Sequence, residues 1–318
     1  MQTRRSLLRA GGVAAALSLA GCLGERSDPP EAVASIPDPA AFAPGSVRGF
    51  GSLDLSAFET DSSAALGLRD RLEAVDRAIP GIDVDDVDRV VGVGGGDPAG
   101  ERVGVATISG SFDPEAVVRR LSQFGFARNP RDNDGYTVYD GAFDLLLRGR
   151  AGIDTETTSL IATGTGQLIV AVGIETDGVG DALASAIAPG GGYYRASRNG
   201  RTVIDAVGDR PGMWCVEFAD GADRLLSVDG RTNQLVLGDL GAAGGAVWPD
   251  GNLLRFATVW IYRDGVRKAG DVYDWLSTAE RGDDGDGVDD GPGDGIDGIG
   301  LTGDGRGVVV AGSVPLDE

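Results

Sequence analysis

The 318-residue chain carries 49 acidic and 28 basic residues, a formal net charge of −21 at pH 7, and it contains no histidine. The negative charge excludes nucleic-acid binding by phosphate neutralisation. The lack of imidazole excludes Ser-His-Asp and Cys-His nucleophile systems and the usual histidine-containing zinc sites.

The N-terminus predicts export. Arg4 and Arg5 precede an apolar run from Ala10 to Ala20, an order typical of a removable secretory signal over residues 1–21. The arginine pair indicates the twin-arginine export machinery, which carries folded cargo. The run is shorter than the roughly 20 apolar residues that a bilayer span requires, so the signal is not expected to be a membrane helix.

The signal ends in Leu19-Ala20-Gly21-Cys22. These residues resemble a lipobox, in which the cysteine becomes the lipidated first residue of the mature protein. The resemblance implies a lipid anchor at Cys22 on the outer face of the cytoplasmic membrane, with the remaining chain at the cell surface. Since no later apolar run is long enough to span a bilayer, membrane attachment is expected to rest on Cys22 alone.

Residues 22–46 contain five prolines among small and acidic residues. Proline fixes φ and removes a backbone donor, so this segment is predicted to be a semi-extended tether that lifts the folded part off the membrane.

Residues 47–208 predict a first α+β unit. Alternating or continuous apolar segments indicate strands, and apolar residues three or four apart indicate helices. The predicted strands are 47–55, 89–93, 102–109, 136–139, 143–148, 159–162 and 167–172. The predicted helices are 62–79, a second that begins at 114 after the cap Asp113, a third after the cap Asp177, and a short one over 201–207.

Residues 209–318 predict a second α+β unit. Its predicted strands are 213–218, 224–228, 234–237, 253–262 and 308–311, and its predicted helix is 268–276. An acidic loop over 282–306 interrupts the unit. Because this segment has few apolar residues to offset its ordering entropy, we expect a mobile excursion from the sheet.

An internal repeat connects the two units. Thr163–Gly173 aligns without gaps on Thr302–Gly312, and both copies share a Thr-Gly-x-Gly turn, an apolar run and a final glycine. Each copy follows a strand and then a helix. The predicted fold is therefore α+β, in two related units, each a mainly antiparallel sheet with one or two helices packed on one face.

Two features have a structural interpretation. Cys215 is alone once Cys22 is lipidated, and it lies in a predicted strand, so we expect a buried, inert thiol. The glycine-rich stretch Val91–Pro98 follows a strand, but Asp97 stands at the third glycine position of a dinucleotide loop. A hairpin is predicted there instead, and no cofactor is expected.

One acidic stretch is a candidate metal site. Asp284, Asp286 and Asp290 are spaced as oxygen ligands around a glycine turn, which hard cations prefer. The spacing resembles calcium repeats of thrombospondin type, with Gly282 where the first ligand would stand. The alternative is an acidic solvated loop without a cation.

The charge of the mature chain is a further feature of the sequence. Cleavage before Cys22 removes three arginines and no acid, which leaves 25 basic and 49 acidic residues and a net charge of −24, with Lys268 as the only lysine. Together with the signal, the lipobox and the proline tether, this composition resembles twin-arginine-exported lipoproteins of haloarchaea. The resemblance implies a halophilic, extracellular protein and no particular activity.

Three functions stay open. The first is a non-enzymatic surface module, structural or binding an unidentified protein partner, which needs no special residues. The second is a solute-binding lipoprotein of a transporter, which would need a cleft between βα-alternating lobes. The third is a carboxylate-dependent hydrolase, which would need two acids that converge in a pocket. The first is the expectation.

Overall fold

A computed structural model describes residues 29–43, 45–58, 82, 84–97, 100–123, 125–133, 135–141, 157–174, 177–188, 192–219, 239–281 and 296–316. In these ranges the protein is mainly antiparallel sheet with a few helices, so the predicted α+β class is confirmed. Contacts group the chain into an N-terminal unit, 31–196, and a C-terminal unit that includes 197–316. The sequence predicts the boundary at 208/209 instead.

The N-terminal unit has strands β1 (Val47–Asp54), β2 (Val87–Gly96), β3 (Arg102–Gly110), β4 (Ala127–Asn133), β5 (Tyr136–Gly141), β6 (Thr157–Gly164) and β7 (Gln167–Ile174). Its described helices are α1 (Glu31–Ala34), α2 (Pro114–Gln123), α3 (Val179–Ile187) and α4 (Gly192–Ala196), with 3-10 turns at Pro39–Ala41, Leu55–Ala57 and Val84–Asp86. The strand order is β1-β2-β3-β7-β6-β5-β4, and neighbours are antiparallel.

Most predicted elements of this unit are present. Strand β4 is not predicted by the sequence, because it contains Pro130 and is rich in charge. It lies at the end of the strand order, where proline is tolerated. The predicted cap Asp177 is wrong, since α3 has Gly178 at its N-cap position without a side-chain capping bond. The predicted helix 62–79 and strand 143–148 lie outside the described residues.

Both faces of the β6–β7 region are buried. On one face, Val117 and Leu121 of α2 pack with Leu168 and other apolar side chains. Ile169 points to the opposite face by strand alternation, yet it is also fully buried. Because α3 contacts β3, β6 and β7, helices cover both faces of this sheet. The expectation of helices on one face is therefore wrong for this unit.

The predicted tether 22–46 also differs from the structure. Residues Glu31–Ala43, here called the N-terminal strap, form α1 and the 3-10 turn and pack into the N-terminal unit. Ile36 and Phe42 are buried, and Asp38 accepts a hydrogen bond from Ala40 N at 2.9 Å. The prolines do not prevent this packing, because Pro39 occupies the first position of the turn, where a missing N–H costs nothing.

The C-terminal unit has strands β8 (Gly212–Phe218), β9 (Leu240–Asp250), β10 (Leu253–Tyr262), β11 (Ile296–Leu301) and β12 (Gly307–Pro315), and helices α5 (Arg198–Val207) and α6 (Val266–Arg281). The strand order is β8-β9-β10-β12-β11, with antiparallel neighbours. The predicted strands 224–228 and 234–237 lie outside the described residues.

Two elements of this unit differ from the prediction. Strand β9, rich in glycine and alanine, is not predicted at all. It packs closely: a Cβ added at Gly244 would lie 2.4 Å from Val203 Cγ1 of α5. Within the predicted acidic loop 282–306, residues 296–301 form β11, because alternating Ile299 and Leu301 can pair with β12. Residues 282–295 lie outside the described part of the chain.

Candidate functional site

The N-terminal unit carries an open depression of about 500 Å³. It lies where β3 ends, where α2 begins and where the β6–β7 hairpin turns. Its lining is mainly glycine and hydroxyl side chains: Gly110, Ser111, Phe112, Pro114, Gly135, Thr163, Gly164, Thr165 and Gly166. Since none of these lining side chains titrates near neutral pH, the depression supplies no general acid or base.

Two polar groups of the depression make hydrogen bonds between neighbouring segments of the unit. Gly110 N donates to Gly166 O at 3.1 Å, and Thr163 Oγ1 donates to Thr137 O at 3.4 Å. Phe112, only 4% exposed, adds an apolar surface. The side chains of this lining are therefore uncharged, with hydroxyl groups and one aromatic ring.

In the C-terminal unit, polar side chains converge on the turn before β12. Arg306 Nε donates to Asp304 Oδ2 at 2.8 Å, and its Nη2 donates to Asn199 Oδ1 at 3.1 Å. Thr302 Oγ1 donates to Asp304 Oδ1 at 2.8 Å and accepts from Gly307 N at 2.9 Å. The network connects the β11–β12 turn to the first turn of α5.

The Asp304 carboxylate is stabilised in its ionised form. Burial raises the pKa of Asp304, but hydrogen bonds from Arg306 and Thr302 and the charge of Arg306 together lower that pKa below its ordinary value. A carboxylate that stays ionised and paired at neutral pH cannot serve as a general acid there. Its role is to hold the turn.

A second carboxylate, Glu217 of β8, caps α5. Glu217 Oε1 accepts from Gly200 N at 3.1 Å and from the Ser197 hydroxyl, and Ser197 Oγ accepts from Gly200 N at 2.7 Å. The negative charge lies at the positive end of the helix dipole. A serine beside a carboxylate resembles a nucleophile beside a base, but here the pair satisfies the N-terminus of a helix.

Two arginines of this unit are also engaged: Arg255 of β10 and Arg210 of the loop between α5 and β8. Arg255 contacts Asp250 at 2.5 Å and Asp297 at 3.6 Å, which links β10 to the end of β9 and to β11. Arg210 lies over the Trp248 ring, 4.1 Å from its centroid, an arrangement favoured by the ring quadrupole. These cations therefore stabilise the sheet rather than form a binding surface.

Tyr262, at the end of β10, carries a buried hydroxyl. It is fully buried, its hydroxyl has no hydrogen-bond partner among the described residues, and burial raises its pKa. The phenol is therefore neutral.

The site residues predicted from sequence lie outside the described residues: Arg4, Arg5, Cys22, Asp284, Asp286 and Asp290. Where the chain is described, no three His, Cys, Asp or Glu side chains converge to hold a metal ion. No helix in the same ranges is both long enough and apolar enough to cross a bilayer. Cys215 is buried, as predicted.

No local motif marks the Asp304–Arg306 network in the sequence. Alignment of the two repeat copies shows the difference that could have indicated the network: Asp304 and Arg306 stand where the first copy has Thr165 and Gln167. In the first copy, Gln167 at the position of Arg306 makes a different contact: Tyr136 Oη donates to Gln167 Oε1 at 2.6 Å.

Comparison with known proteins gives no family. No protein-family model matches the chain, and no curated protein sequence matches it. The chain is similar to solved structures of TP0453. Crystal form IV aligns with a TM-score of 0.45 and 11% identity over 90% of this chain and 96% of that chain. Crystal form III aligns with a TM-score of 0.47 and 11% identity over 88% of this chain and 94% of that chain.

Proposed function

We propose that this protein is a non-enzymatic module of the cell surface, exported by the twin-arginine machinery and anchored through lipidated Cys22. The export signal and lipobox support the location. The non-enzymatic role rests on what two carboxylates of the C-terminal unit contact: Glu217 caps α5, and Asp304 is paired with Arg306. Both carboxylates are occupied in holding the fold.

Localisation of two variants tests the proposal. Cys22→Ser should release the protein from membranes into the medium, because it removes the lipid attachment. Cys215→Ala is the matched thiol control and should stay in the membrane fraction. Arg4→Lys with Arg5→Lys should leave precursor in the cytoplasm. A Cys22→Ser protein that still sediments with membranes after a high-salt wash would place the anchor elsewhere.

A solute-binding role is the alternative that one observation favours. The depression beside the β6–β7 hairpin is large enough for a small uncharged ligand. Saturable binding of a neutral solute, lost in Thr165→Trp, would support that role. The hydrolase alternative has weaker support, because the two carboxylates described above serve as a helix cap and an ion pair.

We also propose that the two units are related by duplication. The order β1-β2-β3-β7-β6 in one unit corresponds to β8-β9-β10-β12-β11 in the other. In both, a helix follows the third strand, and the last strand of a closing hairpin pairs with that third strand. The N-terminal unit adds β4 and β5 beyond this shared set.

The hairpin register supports the same proposal. Thr163 pairs with Leu168, and at the aligned positions Thr302 N donates to Gly307 O at 2.9 Å. The turn glycine has φ +64° in one hairpin and φ +67° in the other. If the two glycine-rich sequences were similar only by chance, the strand pairing and the turn conformation of the two hairpins would not have to agree.

A further inference from the structure

The N-terminal strap is part of the folded N-terminal unit. Val33 is 1% exposed, Ile36 0% and Phe42 3%. Tyr193 N of α4 donates to Ile36 O at 3.3 Å. Extending the strap would therefore expose three apolar side chains and break its hydrogen bond to α4.

The strap is held along its length. Helix α1 contacts α4, and the 3-10 turn Pro39–Ala41 contacts α3, β1 and β2. Just beyond the strap, the backbone N and the hydroxyl of Ser46 both donate to Asp97 Oδ1, at 2.9 and 3.0 Å. These contacts leave only the chain before Glu31 to act as a tether.

Because the strap is folded, less chain is left to span the distance between the lipid anchor and the N-terminal unit. Residues 22–46 as a free tether would span at most about 85 Å, whereas nine residue steps from Cys22 to Glu31 span at most about 30 Å. We infer that the N-terminal unit is held beside the membrane, with the strap and α4 on the side that faces the lipid headgroups. This inference rests on the proposed anchor at Cys22.

The exposed side of the strap suits a headgroup surface. Among the strap residues whose exposure is described, Glu31, Ser35, Ala40 and Ala41 are exposed and Asp38 is half-buried, and α4 adds the exposed Arg195. The formal charge of these groups sums to −1, in a chain of net charge −21. Like charges repel an acidic protein from anionic lipids. A face with little net charge therefore approaches an anionic bilayer with little repulsion.

Energy transfer on the full lipidated protein in membrane vesicles tests the inference. A donor dye on Ala196→Cys, exposed at the end of α4, is paired with an acceptor lipid in the headgroup layer. Cys22 is lipidated and Cys215 is buried, so this thiol alone is labelled. We expect strong transfer, and a clear loss when 20 Gly/Ser residues are inserted between Ser27 and Asp28, since that linker adds about 25 Å on average.

Sedimentation of the same samples separates the two proposals. A protein that does not sediment with the vesicles refutes the lipid anchor. A protein that sediments but shows no transfer from Ala196→Cys, or transfer unchanged by the insertion, refutes the short reach. A variant with Ile36→Asp and Phe42→Asp should undock the strap, so its transfer should fall while it still sediments. Unchanged transfer in that variant would also overturn the inference.

Discussion

The two hairpin turns allow a matched mutational test of the repeat. Gly166 and Gly305 have φ values of +64° and +67°, a region that costs an L-residue about 1–2 kcal/mol. The space at the two turns differs slightly, because an added Cβ would lie 3.3 Å from Gly110 O, a tight contact with backbone, in one turn and 3.4 Å from Val266 Cγ2, an ordinary contact, in the other. Alanine also restricts the unfolded chain, which offsets about 0.4–1 kcal/mol.

We therefore expect Gly166→Ala and Gly305→Ala each to lower the free energy of unfolding by about 1 kcal/mol. Urea unfolding of the Cys22→Ser protein at one fixed salt concentration measures the loss. Amide hydrogen exchange in β7 and β12 then reports the loss separately beside each turn, since protection is measured residue by residue.

Gly51→Ala is the control for this test. Gly51 lies in β1, and an added Cβ there would meet nothing within 4 Å. Removing the excess freedom of glycine from a strand stabilises by roughly 0.5–1 kcal/mol, so this variant should gain stability. If Gly51→Ala loses as much as the turn variants, or if one turn variant is neutral and the other destabilised, the assigned cause or the equivalence of the hairpins is wrong.

Four further predictions concern packing, charge and cation binding. Phe42→Ala should cost about 3–5 kcal/mol in urea unfolding, whereas exposed Ala40→Gly should cost little; equal small losses would mean that the strap is not part of the core. The melting temperature should rise between 0.01 and 1 M salt, where the Debye length falls from about 30 to 3 Å; a flat profile in sodium and potassium chloride would show that self-repulsion does not limit stability. Because the pKa of Asp304 is lowered in the folded state, the stability lost in Asp304→Asn should be constant at neutral pH and should shrink below about pH 4; an unchanged loss in acid unfolding would exclude an ionic contribution. Calorimetric titration should decide whether calcium binds Asp284, Asp286 and Asp290, since saturable heat lost in Asp286→Asn supports the site and equal heat in both proteins leaves only a solvated loop.

Strands with a strong local pattern are predictable from this sequence. In β3, β7 and β10, β-branched residues recur within short segments bounded by turn residues, and the structure has strands at those places. Strand β9 has no such pattern, because glycine and alanine have little intrinsic preference for strands. Its conformation is set by pairing with β8 and β10, which is information that lies far away in the sequence.

The strap and the polar network show the same limit. The prolines of residues 22–46 indicate an extended chain. Ile36 and Phe42, which lie among these prolines, are nevertheless buried in the folded unit, and the local sequence does not indicate this burial. Arg306 and its partner Asn199 are 107 residues apart, so only the folded chain brings them together. Local patterns therefore predict most strands and helices, whereas the burial of the strap and the polar network depend on contacts between residues far apart in the sequence.

The close packing of α5 on β9 also restricts how this protein can change by mutation. An alanine at Gly244 would place its Cβ 2.4 Å from Val203 Cγ1 and 2.7 Å from Trp214 O, and overpacking of this kind costs about 1–3 kcal/mol. Val203→Ala alone would instead leave a void. Shortening Val203 would remove only the first of these contacts, because the contact with Trp214 O is made by the backbone of the paired strand. Descendants of this chain should therefore retain glycine at 244 whichever apolar residue stands at 203.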